Sequence, residues 1–114
     1  MPANDVRRDW FRDYGTGDII NWRKYFDPAR VWDGQRPVVT DVHYMRIAEV
    51  YLLHTEAAVK SNDEGAARTA LKTLVAERVN DASYIDALSG NALLDEILLQ
   101  SRIELWAEGK SYIL

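Results

Sequence analysis

Glu104 and Glu108 stand one helical turn apart near the end of the chain, and Glu49 and Glu56 punctuate an apolar stretch near its middle. Glycoside hydrolysis uses two carboxylates about 5–10 Å apart across a cleft. Residues four apart on one helix meet that distance automatically, so spacing alone does not define an acid and base pair. Arg46 and Arg102 lie in the same two stretches, and charges on otherwise apolar helices are kept when they are paired. The expected role of Arg46, Glu49, Glu56, Arg102, Glu104 and Glu108 is therefore structural: ion pairs and hydrogen bonds between packed helices. No catalytic residue is assigned, and the chain reads as a binding protein and not an enzyme.

The remaining reactive side chains form no recognised constellation. His43 and His54 are not in an H-E-x-x-H or similar ligand spacing, and each reads as a capping or partly buried histidine. Gly15-Thr16-Gly17 lacks the third glycine and following lysine of a phosphate loop. Asp9, Asp13 and Asp18 are loosely spaced, without the glycine and terminal glutamate of a calcium loop. With no cysteine in the chain, disulfides and thiolate metal sites are excluded, and neither metal nor cofactor is expected.

Aromatic rings are the feature best suited to a ligand. Seven of the twelve aromatics fall in residues 1–43, and flat rings flanked by polar groups stack on the C–H faces of sugars. Trp22 with Asn21, and Trp32 with Arg30, have that local composition and are the candidate ligand-binding residues. The competing use of these rings is to cover helices.

Two kinds of chain must position these groups. Residues 1–43 are broken by Gly15, Gly17, Pro28, Gly34 and Pro37 and read as irregular and loop-rich, with short extended pieces at 19–22 and 36–40. From Tyr44 the spacing of Ile47, Ala48, Tyr51, Leu52, Ala58 and Val59 predicts a helix over about 44–60, capped by Thr40 or Asp41. Ser61 and Glu64 have capping-box spacing before a second helix over about 63–79, lined by Ala67, Ala70, Leu71, Leu74, Val75 and Val79. The short break between the two favours an antiparallel pair of the tetratricopeptide-like kind. After a connection holding at most one short helical turn, a third helix over about 92–108 is apolar on more than one side. Trp106 reads as packing and Gly109 as its left-handed end. The fold class is all-α. Tyr112, Ile113 and Leu114 look like the start of a further buried element, so the chain reads as a single incomplete domain of a longer protein.

Three segments carry a resemblance. Arg46-Ile47-Ala48-Glu49-Val50-Tyr51-Leu52-Leu53-His54-Thr55-Glu56-Ala57 is similar to the R-x-A-E-[VI]-x-L-x-x-A-E-A helix of the SusD/RagB family. Arg102-Ile103-Glu104-Leu105-Trp106-Ala107-Glu108-Gly109 resembles that family's R-x-x-E-L-x-x-E-G helix, and Asp5-Val6-Arg7-Arg8 its D-P-R-R element, with Val6 in place of proline. Ser101 and Ser111 stand where the family often has arginine. The resemblance implies nutrient capture at the cell surface by an outer-membrane lipoprotein. A glycan or oligosaccharide would be held noncovalently and passed to a SusC-like, TonB-dependent transporter. A helical-repeat protein–protein interaction domain is the alternative.

Composition agrees with neither a nucleic-acid binder nor a membrane span. Residues 1–43 carry seven Lys/Arg against seven Asp, and residues 44–114 carry seven Lys/Arg against eleven Asp/Glu. No clustered cations are available to displace counterions from a phosphate backbone, and no apolar run of about 18 residues is present.

Overall fold

The computed structural model describes residues 2–13, 19–21, 24 and 43–110. Three helices dominate these: α1 (Ile47–Lys60), α2 (Glu64–Ala76) and α3 (Gly90–Glu104). Ahead of them a 3-10 turn, Val6–Trp10, leads into strand β1 (Phe11–Asp13), which pairs antiparallel with β2 (Ile19–Asn21). A two-strand ribbon of this length is accessory, and the fold is all-α.

Each helix buries one stripe. On α1 it is Ala48, Leu52, Thr55 and Ala58; on α2 it is Ala67, Ala70, Leu71, Leu74 and Val75; on α3 it is Leu93, Ile97, Gln100 and Glu104. The small alanines of α1 and α2 let those helices approach closely, and leucine and valine side chains fill the seam. Val79, Ala82 and the fully buried Ile85, on a second 3-10 turn at Ser83–Ala87, extend the same core.

The α1 stripe differs from the expected one. Tyr44 precedes the helix and is 90% exposed, Ile47 is 72% exposed, and Val50 and Tyr51 also face outward. Apolar residues occupy two adjacent stripes of α1, and packing selects the narrower one because alanine at 48 and 58 permits contact with α2. Thr55, wholly buried, satisfies its hydroxyl by donating to the Tyr51 carbonyl one turn back, at 2.7 Å.

Local chemistry fixes the helix ends. α1 closes with Asn62 at φ 59°; the Asn62 N–H bonds the Val59 carbonyl and the Asp63 N–H the Ala58 carbonyl, the pattern of a Schellman end. Asparagine is among the few residues that tolerate this left-handed conformation. Asp63 then caps α2, accepting from the Ala66 N–H at 2.9 Å. The expected Ser61 and Glu64 box does not form, because Ser61 is consumed in the end of α1. Glu64 instead reaches across to accept the Gly90 N–H at 2.8 Å, so the first residue of α2 satisfies a free donor at the start of α3. Ser89, at the cap position of α3, makes no side-chain bond. Thr40 and Asp41, the expected caps of α1, and the extended piece at 36–40 lie outside the described residues. The cap position of α1 is held by Arg46, whose side chain is used elsewhere.

Candidate functional site

The three sequence segments that resemble family motifs meet at one place, the C-terminal end of α3. Glu104 is wholly buried there and receives four hydrogen bonds from three arginines. Oε1 accepts from Arg46 at 3.0 Å and Arg78 at 2.8 Å; Oε2 accepts from Arg78 at 3.1 Å and Arg7 at 3.3 Å. Arg7, equally buried, grips Asp5 with two prongs at 3.0 and 2.7 Å and donates to Gln100 Oε1 at 2.7 Å. Glu108, one turn beyond Glu104, accepts from Arg46 and Lys24, both at 2.6 Å.

Local structure explains how each group arrives. Asp5 caps the first 3-10 turn through the Arg7 N–H, and the Val6 N–H bonds the Arg78 carbonyl, which pins this turn to the end of α2. Arg46 leaves the start of α1 in an extended conformation and so points along the helix end, not around its flank. Arg78 lies just beyond α2, continuing the stripe of Leu71 and Val75.

Among the groups named, three carboxylates (Asp5, Glu104, Glu108) face four cations (Arg7, Arg46, Arg78, Lys24). The surplus positive charge is met by the end of α3 itself. Arg46 and Lys24 donate to the Glu104 carbonyl at 2.8 and 2.6 Å, and Lys24 also to the Trp106 carbonyl at 2.7 Å. These are carbonyls left unpaired at a helix C-terminus, where the helix dipole is negative. Arg46 Nε is the buried polar atom without a partner among the described residues.

Burial alone would push the Glu104 carboxyl up, but hydrogen bonds and charge from Arg78 and Arg46 outweigh it and hold the group below its ordinary range. Glu108 behaves alike, burial being outweighed by Arg46 and Lys24, and Asp5 likewise through Arg7. A general acid needs the opposite, a carboxyl kept protonated near neutral pH. Here the oxygens are also occupied by guanidinium and ammonium groups. What this arrangement can do is clamp five chain segments together: the first 3-10 turn, the chain at Lys24, the start of α1, the chain just beyond α2 and the end of α3.

The other charged motif residues separate from this cluster. Glu49 pairs with Lys110 at 2.9 Å, while Glu56 pairs with Lys60 one turn away on the surface. Arg102, expected in an ion pair, is exposed and makes none among the described residues, because it lies on the face of α3 away from the buried stripe of Ile97, Gln100 and Glu104. Trp106, expected as packing, is 40% exposed and meets Phe11 edge-on at 5.6 Å. Between α1 and α3 lies a cleft of about 180 Å³ walled by Leu52, Leu53 and Leu105. Small-molecule pockets are usually about 300–1,000 Å³, so this cleft falls below the usual range.

Of the candidate ligand-binding residues, Asn21 belongs to β2, and Trp22, Arg30 and Trp32 lie outside the described residues. Sequence reasoning missed Arg78, Gln100, Lys24 and Lys110. Two of these carried a readable signal: Arg78 and Gln100 are polar residues that continue an apolar stripe, Leu71-Val75-Arg78 and Leu93-Ile97-Gln100. A polar side chain in that position needs a buried partner.

Fold and cluster together define a helical scaffold locked by buried charge. The SusD family model matches residues 8–113, nearly the whole chain. The chain belongs to the SusD family, whose members are binding proteins that take up nutrients, glycans among them, at the cell surface. No curated protein and no solved structure gives a significant match. Among the described residues no helix is long and apolar enough to cross a membrane.

Proposed function

We propose that this chain captures a glycan noncovalently through Trp22 and Trp32, assisted by Asn21 and Arg30, and serves its transfer to a SusC-like, TonB-dependent transporter at the outer membrane, as part of a lipid-anchored surface protein. The observation that carries this reading is the division of labour at the end of α3. The motif acids and arginines are consumed in holding the scaffold, with Glu104 saturated by Arg7, Arg46 and Arg78. Recognition is then left to the aromatic-rich chain before Tyr44, and family membership supplies the ligand class. Stacking of a sugar on a tryptophan face contributes on the order of 1 kcal/mol, so two such rings with hydrogen-bonding neighbours suit weak, reversible capture.

The test is binding to an array of neutral hexose oligosaccharides, then isothermal titration of the best-retained one against the wild type, Trp22→Ala and Trp32→Ala. Loss of about fivefold in either variant is expected. Unchanged affinity in both would remove the proposed site.

The outward stripe of α1 favours a second reading. Tyr44, Met45, Ile47 and Val50 expose apolar surface side by side, which suits a protein–protein contact. Under that reading Ile47→Asp with Val50→Asp abolishes a protein complex and leaves oligosaccharide binding untouched.

A further inference from the structure

We infer that Trp106 and Arg102 form a second saccharide subsite on the outward face of α3, the Trp106 ring serving as stacking platform and the Arg102 guanidinium as hydrogen-bond donor. The ligand class rests on the glycan reading above; the site itself uses none of the residues named there. Asp95, Leu99, Arg102 and Trp106 follow one another at steps of four, three and four residues, and all are exposed. The Leu105 N–H still bonds the Ser101 carbonyl and the Trp106 N–H the Ile103 carbonyl, so the helical path continues to Trp106. At about 100° per residue these four side chains leave α3 on one side, opposite the buried stripe of Leu93, Ile97, Gln100 and Glu104.

A lone exposed apolar residue is ordinary on a protein surface, and three observations set Trp106 apart from that case. Its backbone is fixed: the Trp106 carbonyl accepts from the Lys24 ammonium at 2.7 Å, and the next residue, Ala107, stands in the left-handed region at φ 62°, where an alanine stays only if its surroundings impose it. Its ring is braced by Phe11 of β1, with centroids 5.6 Å apart and planes at 70°. Two rings near a right angle make a corner, in which a pyranose lays its C–H face on one ring and an edge against the other. The polar groups beside the ring are also uncommitted, since neither the Trp106 indole N–H nor the Arg102 guanidinium has a hydrogen-bond partner among the described residues. Side chains four apart on a helix lie about 5–6 Å from each other at Cβ, so both groups reach one sugar ring. The guanidinium presents a fixed fork of N–H donors, which suits neighbouring hydroxyls. Docking of an apolar partner would strip water from that unpaired charge, a cost that a hydroxylated ligand offsets by accepting its hydrogen bonds. A platform held in advance by Lys24 and Phe11 needs little ordering when the ligand arrives.

The experiment titrates the array-selected oligosaccharide into the full chain as wild type, Trp106→Ala, Arg102→Ala, Trp22→Ala and Trp32→Ala, with thermal melting of each. Indole N–H resonances are followed by two-dimensional NMR in the same titrations, the Trp106 signal being assigned by its loss in Trp106→Ala. Trp106→Ala weakens binding by about fivefold and Arg102→Ala by about threefold, the latter with an unchanged melting temperature, and the Trp106 resonance shifts saturably with added oligosaccharide. An unmoved Trp106 resonance and wild-type affinity in Trp106→Ala and Arg102→Ala, with loss in a Trp22 or Trp32 variant, overturn the subsite and leave the glycan reading standing. A loss in Trp106→Ala that tracks a lowered melting temperature, with Arg102→Ala binding normally, also overturns it. A saturable Trp106 shift and weakened Trp106→Ala and Arg102→Ala, with normal binding by Trp22→Ala and Trp32→Ala, uphold the subsite and remove the site proposed above. No oligosaccharide retained on the array refutes the glycan reading and the subsite together.

Discussion

Replacing Glu104 by glutamine keeps the shape of the side chain and removes its charge. The carboxylate holds Arg7, Arg46 and Arg78 through four hydrogen bonds, and its side chain is wholly inaccessible, as is that of Arg7. Glutamine offers one acceptor oxygen where two stood and turns an amide N–H₂ toward guanidinium donors, so at least one arginine N–H loses its partner in a buried site. Breaking a buried ion pair from one side costs about 3–5 kcal/mol, because the charge left behind is uncompensated. Arg46 and Arg78 are 19% and 24% exposed at their side chains and regain some hydration, which favours the lower end of that range. Against a typical domain stability of about 5–15 kcal/mol, this is a large fraction. Urea denaturation followed by far-ultraviolet circular dichroism is the assay. The expected result is a midpoint lowered by about 1–3 M with an unchanged slope. Glu56→Gln serves as the comparison, since its partner Lys60 is 70% exposed and such surface pairs are worth less than about 1 kcal/mol. Equal midpoints for Glu104→Gln and Glu56→Gln would refute the reasoning.

Four further outcomes are expected. Asp5, Glu104 and Glu108 are all held below their ordinary values, so their contribution to stability is complete above about pH 4.5 and is lost as pH falls through the lowered folded-state values; a urea midpoint that stays flat from pH 7 to pH 3 would contradict this. Arg102→Ala should change stability by less than about 0.5 kcal/mol, because the side chain is exposed and unpaired among the described residues, whereas Arg46→Ala should cost several kcal/mol in the same denaturation experiment. Glu64→Ala removes the acceptor for the Gly90 N–H and should cost about 1 kcal/mol, with the loss concentrated in amide exchange at the start of α3. Ala107→Gly relieves a left-handed backbone that costs an L-residue about 1–2 kcal/mol, partly offset by chain entropy, so the melting temperature should rise and not fall.

Helical periodicity was enough to place three helices and an all-α architecture, because Ala67, Leu71, Leu74 and Val75 recur at the spacing that one buried face requires. The choice between two apolar stripes on α1 was not legible, since Ile47 and Tyr51 are as hydrophobic as Ala48 and Leu52 and only the partner helix selects among them. Helix starts were misread where side chains had competing uses: Glu64 bonds a different helix, and Asp63, not Ser61, does the capping. The paired role of Arg46, Glu104 and Glu108 followed from charges placed on apolar helices. Convergence of Arg7, Arg78 and Lys24 on the same spot depends on tertiary folding over long sequence separations, for which spacing carries no signal. Arg102 shows the converse: adjacency to a motif acid in sequence puts it about 100° around the helix per residue, away from the cluster.

The claim that the motif segments are joined through one buried charge cluster is tested most directly by a double-mutant cycle on Arg46 and Glu104, using Arg46→Ala, Glu104→Ala and the pair, with unfolding free energies measured in urea. These residues come from the starts and ends of different helices and touch at 3.0 Å. An interaction energy of about 1–3 kcal/mol is expected for groups in direct contact within a shared network. Additive losses, with an interaction energy within about 0.3 kcal/mol of zero, would contradict it.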